Sequence, residues 1–166
     1  ECLLFMYSEG LPLSVFVFSD CYVAHILYTV LPAHLSTNHL LRRLPEYARA
    51  RNGMMAKSIR AFLSDQSVYA IPGILPSTKV LVLAGHDTNL AAMMALFGVD
   101  WSFSDQPDST APNTVLAFER WRRSDGTREF RLKVFHQSLE ELREAKTLDI
   151  GKSAITLSPT QPFFAP

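Results

Sequence analysis

The chain has 166 residues, 48% of them hydrophobic and 19% charged, with 16 Lys and Arg balancing 16 Asp and Glu. This is ordinary globular composition with enough apolar mass for a core. The balanced charge excludes the basic footprint of a nucleic-acid binder, and no apolar run reaches the roughly 20 residues of a membrane-spanning helix.

In chain order, residues 1–9 have helical spacing that breaks at Gly10 and Pro12. Because "ECLLFMYSEG" begins at Glu1 without a cap, the expectation is a piece of a longer protein. The run "VFVFSD" (15–20) is too short for periodicity to separate strand from helix. Residues 22–63 have helical spacing interrupted at Pro32 and Pro45. Pro45 falls at a helix start, where its missing N–H does no harm, and Gly53 weakens that helix without ending it. A loop rich in Pro, Gly and Ser (65–78) leads to a buried strand expected at 79–84 and a helix at about 88–97. "SFSDQPDSTAPN" (102–113) is a loop by composition. "TVLAFERW" and "REFRLKVFHQ" are two β-like runs joined through Asp125-Gly126, a hairpin signal. Ser138 with Glu141 forms a capping box for a short helix, and "SAITLS" supplies one more strand. The order, helices and then strand–helix–hairpin–helix, predicts an α/β protein: a helical subdomain over 1–70, then part of an α/β sheet domain over 71–166. Cys2 and Cys21 show no CxxC spacing and are expected to be two buried thiols, with no metal site.

The stretch that carries chemistry is "LAGHDTNLA". A polar tetrad, His86 to Asn89, sits where an apolar run hands over to a helix. In open α/β sheets, ligands bind at that junction, and a helix N-terminus presents unpaired N–H groups and partial positive charge to an anion. His86 adds a donor that can carry charge. A carboxylate at Asp87 would repel an anion unless it arrives protonated, which is how a general acid acts on the leaving group of a phosphoester. The plainer reading is that Asp87 is an N-cap and His86 a hydrogen-bonded loop residue. The other histidines, His25, His34, His39 and His136, show no short ligand spacing.

Four stretches in the same order resemble the histidine acid phosphatases of the bacterial phytase and glucose-1-phosphatase branch. They are "LLFMYSEGLP", "RRLPEYARARNGMMAKSI", "LAGHDTNLA", and "QPDSTAPNTVLAFERWRR" with the following "FRLKVFHQSLEELR". The resemblance implies a partial histidine-acid-phosphatase fold and a parent acid phosphomonoesterase. It also implies a phosphomonoester substrate (phytate or a sugar phosphate), no cofactor or metal, a monomer at full length, and a periplasmic or secreted location. Neither nucleic acid nor membrane is expected as a partner.

In that family a histidine of an Arg-His-Gly-x-Arg-x-Pro motif attacks phosphorus. The His of the HD motif holds phosphate, and its Asp protonates the leaving oxygen. The resemblance therefore assigns His86 to phosphate binding, Asp87 to proton donation and Thr88 to a substrate contact. Arg51 matches a pocket arginine, against the alternative of a solvated helix residue. Glu1 matches an acidic substrate contact, against the alternative of a surface carboxylate.

The chain also departs from the pattern. None of its histidines is followed by glycine, so the nucleophile motif is missing from these 166 residues, and the isolated chain is expected to be inactive. Asn113-Thr114 stand where a glycine pair is usual, although threonine scarcely tolerates positive φ. The alternatives are a glucose-1-phosphatase-like enzyme or a non-catalytic phosphate-binding pseudoenzyme.

Overall fold

A computed structural model describes residues 9, 29, 33, 36, 40–64, 71–75 and 77–159. The apolar run at 15–20 lies outside them, as do Glu1, Cys2, Cys21, His25, His34 and His39.

Residues 40–42 are helical, the chain turns at Arg43 and Leu44, and helix α1 (Pro45–Ser64) follows. Pro45 opens it, as its fixed φ favours, and Glu46 places negative charge in the first turn against the positive helix end. Ala48, Asn52, Ala56, Ile59 and Leu63 recur three or four residues apart and form the buried stripe. Gly53 is passed without a break. The last turn has no basic residue of its own; instead Arg120 reaches in from the sheet and donates to the carbonyl of Leu63 at 2.7 Å.

Helix α2 (Asp87–Phe97) packs against α1 and buries Ala91, Ala92, Met93, Met94 and Phe97. Alanines on both helices keep the backbones close. Gly98 ends the helix in the left-handed region at φ 60°, its N–H returning to the carbonyl of Met94.

The sheet comprises β1 (Val115–Arg122), β2 (Arg128–Phe135) and β3 (Ala154–Leu157), antiparallel in the order β1-β2-β3. The β1–β2 turn has Gly126 at φ 82°, and the amide of Arg123 donates to the carbonyl of Thr127 at 2.9 Å. Register pairs Leu116 with Val134 and Phe118 with Leu132, and sets Leu157 opposite Leu132 from β3. These residues face the helices and join Phe97, Trp101, Ile59 and Leu63 in one core. Phe97 meets Phe118 in a tilted pair with ring centroids 4.7 Å apart. On the outer face Glu129 bridges Arg131 and Arg123 at 2.8 Å each. Hydrogen bonds from Arg131 first, then Arg123, hold its carboxyl down to about 2.

Ser138 and Glu141 close the expected capping box of helix α3 (Leu139–Arg143), at 3.1 and 2.9 Å. Helix α4 (Ile150–Ser153) leads straight into β3.

One feature departs from the sequence reading. Residues 79–84 form no strand, with Val80 77% and Val82 84% exposed. Among the described residues no strand lies beside them, and a β-ladder needs a partner for its N–H and C=O groups. The loop expected at 102–113 is found as a loop, and although it is polar by composition, residues 106 and 108–111 of it are buried, Gln106 1% and Asp108 4% exposed. The worry over a missing glycine pair is resolved by Asn113. It takes the left-handed conformation at φ 64°, which asparagine tolerates, while Thr114 stays out of that region.

Candidate functional site at the start of helix α2

The tetrad is organised by its own side chains. His86 is the N-cap, extended at φ −120° and ψ 170°, and Asp87 is the first helical residue. The reading of Asp87 as an N-cap is therefore displaced by one position. Asn89 closes the cap: its Oδ1 accepts from the amide of His86 at 2.8 Å, and its Nδ2 donates to Asn52 Oδ1 on α1 at 2.7 Å. Gly85 leaves room for this arrangement. A Cβ there would sit 3.0 Å from Asn89 Oδ1 and 3.4 Å from its Cβ.

Two of the backbone donors that usually make a helix N-terminus an anion cradle are already engaged. The amide of Thr88 donates to Asp87 Oδ1 at 2.7 Å, and that of Asn89 to the carbonyl of His86 at 2.9 Å. The amides of Thr88 and Asn89 are thus not waiting unpaired for an anion, since a side chain and a local turn have taken them. What remains to meet an anion is the positive end of the helix dipole and the surrounding cationic or donor side chains.

Asp87 Oδ2 accepts from Nη1 of Arg42, which lies 45 residues earlier in the chain. The side chains of Arg42 and Asp87 are 27% and 23% exposed, so the ion pair is half-buried. The neighbouring Arg43 is engaged elsewhere, donating to Asp100 Oδ1 at 2.9 Å and approaching Met94 Sδ at 2.7 Å. Of the two consecutive arginines, Arg42 is the one that meets the tetrad.

The structure thus brings His86, Asp87, Thr88 and Asn89 together with Arg42 and Asn52. His86 is exposed, and Asp87 and Thr88 are half-buried. Arg51 is exposed on α1, its guanidinium 6.0 Å above the ring of Tyr47, one turn earlier on the same helix. Glu1 lies outside the described residues. Arg42 and Asn52 escaped sequence reasoning. Both lie within "RRLPEYARARNG", but nothing in their spacing shows which arginine turns toward residue 87. Among the described residues no cluster of three or more His, Cys, Asp or Glu could hold a metal ion. Likewise, no helix there is long and apolar enough to cross a membrane.

No family model matches the chain. Individual proteins do. The chain is 34% identical over 144 residues to phytase AppA of Escherichia coli, covering 81% of this chain and 33% of that protein. It is 33% identical over 78 residues to glucose-1-phosphatase of Salmonella typhimurium, covering 46% of this chain and 19% of that protein. Among solved structures, the phytase of Citrobacter braakii superposes with a TM-score of 0.77 at 30% identity, over 95% of this chain and 40% of that one. The apo form of Hafnia alvei phytase gives 0.82 at 26% identity, over 95% and 39%. The chain spans about a third of the length of the curated phytase it matches. In sequence, and in its helices and small antiparallel sheet, the chain is a homologue of part of the histidine acid phosphatases, in their phytase and glucose-1-phosphatase branch.

Proposed function

We propose that this chain supplies the phosphate-binding and proton-donating half of an acid phosphomonoesterase site, with His86 holding phosphate and Asp87 protonating the leaving oxygen. The observation that carries the reading is the pairing at the start of α2: a histidine as N-cap beside a carboxyl group that an arginine contacts. An anion near His86 gains from the helix dipole, and a carboxyl group beside it serves when it delivers a proton. Thr88 is assigned a contact with the same ligand, Arg51 a place in the substrate pocket and Glu1 a substrate contact. Phytate is the favoured substrate class, because the phytase match covers most of the chain; a Hafnia alvei relative has been solved with myo-inositol hexakis sulphate. The working compartment would be the periplasm or the cell exterior, as the family resemblance implies.

These 166 residues contain no Arg-His-Gly motif, so the isolated chain is predicted to release no phosphate from phytate or p-nitrophenyl phosphate at acid pH. A polypeptide that adds an Arg-His-Gly-bearing segment should release it, and Asp87→Asn should then lower kcat by about a hundredfold or more. Turnover by the isolated chain that disappears in Asp87→Asn would overturn the division of labour. The match to a glucose-1-phosphatase favours a second reading, a sugar phosphatase. Preference for glucose 1-phosphate over phytate in the completed protein would select it.

A further inference from the structure

The amides of His86, Thr88 and Asn89 are engaged within the first turn of α2, so an anion arriving there must be met chiefly by side chains. Arg42 is the arginine at hand, and it is held by Asp87 Oδ2. We infer that Arg42 is an exchangeable phosphate ligand: it pairs with Asp87 while the site is empty and transfers its guanidinium to the phosphate when a phosphoester binds. The inference rests on the reading of the site given above and deepens it.

Three features support the exchange. The ion pair is half-buried, and both side chains keep a face to solvent from which a ligand can reach them. Arg42 is the last helical residue before the turn at Arg43 and Leu44, so its long side chain springs from the end of an element rather than from a packed face. The competition also favours phosphate, which offers a guanidinium two parallel acceptor oxygens and a larger charge, whereas here Asp87 uses its other oxygen on the amide of Thr88. Transfer of Arg42 neutralises the incoming charge and at the same moment withdraws its guanidinium from Asp87 Oδ2. One side chain thereby couples ligand arrival to a change at the carboxyl group that must face the leaving oxygen.

The test is calorimetric binding of inorganic phosphate to the whole chain, with circular dichroism as the check on folding. Arg42→Gln should weaken binding about tenfold, in line with loss of a charge-assisted contact, and Arg42→Lys should restore part of it. Asp87→Asn should tighten binding in the Arg42 background more than in the Arg42→Gln background, because only with Arg42 present is a competitor removed. Equal gains in the two backgrounds, or an affinity indifferent to Arg42→Gln, would overturn the exchange. If Arg42→Gln does not fold, Arg42→Lys decides: a severalfold loss supports the role and an unchanged Kd refutes it. Two failures are distinguishable. Phosphate binding that is lost in His86→Ala but untouched by Arg42→Gln removes this inference alone. No phosphate binding by the unmodified chain removes the functional reading with it.

Discussion

Two irregular segments flank α2 and meet water in opposite ways. Before the helix, 79–84 holds Val80, Val82 and Leu83 out in solvent. After it, 105–111 holds Gln106, Asp108, Ser109 and Thr110 inside. Most polar groups of the buried segment have partners, Ser109 Oγ being an exception. Asp108 Oδ1 accepts from the amide and the hydroxyl of Thr110 at 2.8 and 2.9 Å, and Trp101 Nε1 donates to the carbonyl of Ser109 at 2.8 Å. His136 Nε2 meets Asp105 Oδ1 at 2.8 Å, and the ring stacks on Phe103 with centroids 3.7 Å apart. The apolar segment is exposed, and among the described residues no strand pairs with it. Partners, more than hydropathy, decide which segment goes inside.

The strongest way to break this comparison is to remove a partner from the buried loop. Asp108→Ala strands two buried donors of Thr110, and at about 1–3 kcal/mol for each unsatisfied group the chain should lose roughly 2–6 kcal/mol in urea unfolding. Asp108→Asn keeps an acceptor oxygen and should cost less than half as much. Equal losses would mean that the carboxyl group acts otherwise than as this acceptor.

The outer face of the hairpin sharpens the point from a third side, since its polar groups are paired yet exposed. Glu129 has a folded-state value of about 2 against an ordinary 4.5. A depressed carboxyl value means a contribution present above pH 4.5 and lost as pH falls from 4.5 toward 2. Thermal unfolding followed across that window should show a shallower slope for Glu129→Gln, and added salt should shrink the difference. A slope unchanged by the substitution would show that the two arginine contacts contribute nothing to stability.

The smallest effect belongs to the exposed segment. Val82→Ser should change stability by less than about 0.5 kcal/mol, because little burial is lost. A loss above about 1 kcal/mol would reveal that Val82 is packed in solution, and the contrast between the two segments would collapse.

Local signals carried much of the fold. Pro45, the Asp125-Gly126 turn and the Ser138–Glu141 capping box each fix a boundary through interactions within a few residues, and each boundary is found where it was expected. What local signals left undecided was settled by distant contacts. An apolar run such as 79–84 becomes a strand only if another strand lies alongside. A polar loop such as 105–111 becomes buried only if His136, Gln137 and Leu139 return to meet it, as the amide of Leu139 does with the carbonyl of Asp105 at 3.2 Å. The site divides in the same way. His86 to Asn89 are contiguous and stood out together, whereas Arg42 and Asn52 arrive through packing.

The Asn52–Asn89 contact has one more consequence. A side-chain amide has two ends of nearly the same shape and opposite polarity. Asn89 can present its oxygen to the amide of His86 only while its nitrogen has an acceptor on the other side, and that acceptor is Asn52 Oδ1, 37 positions away in sequence. Residue 52 therefore sets which way round residue 89 is read. Lysine or arginine at 52 would offer only donors, invite the amide to flip, and turn the helix entrance from a closed cap into two N–H groups facing each other.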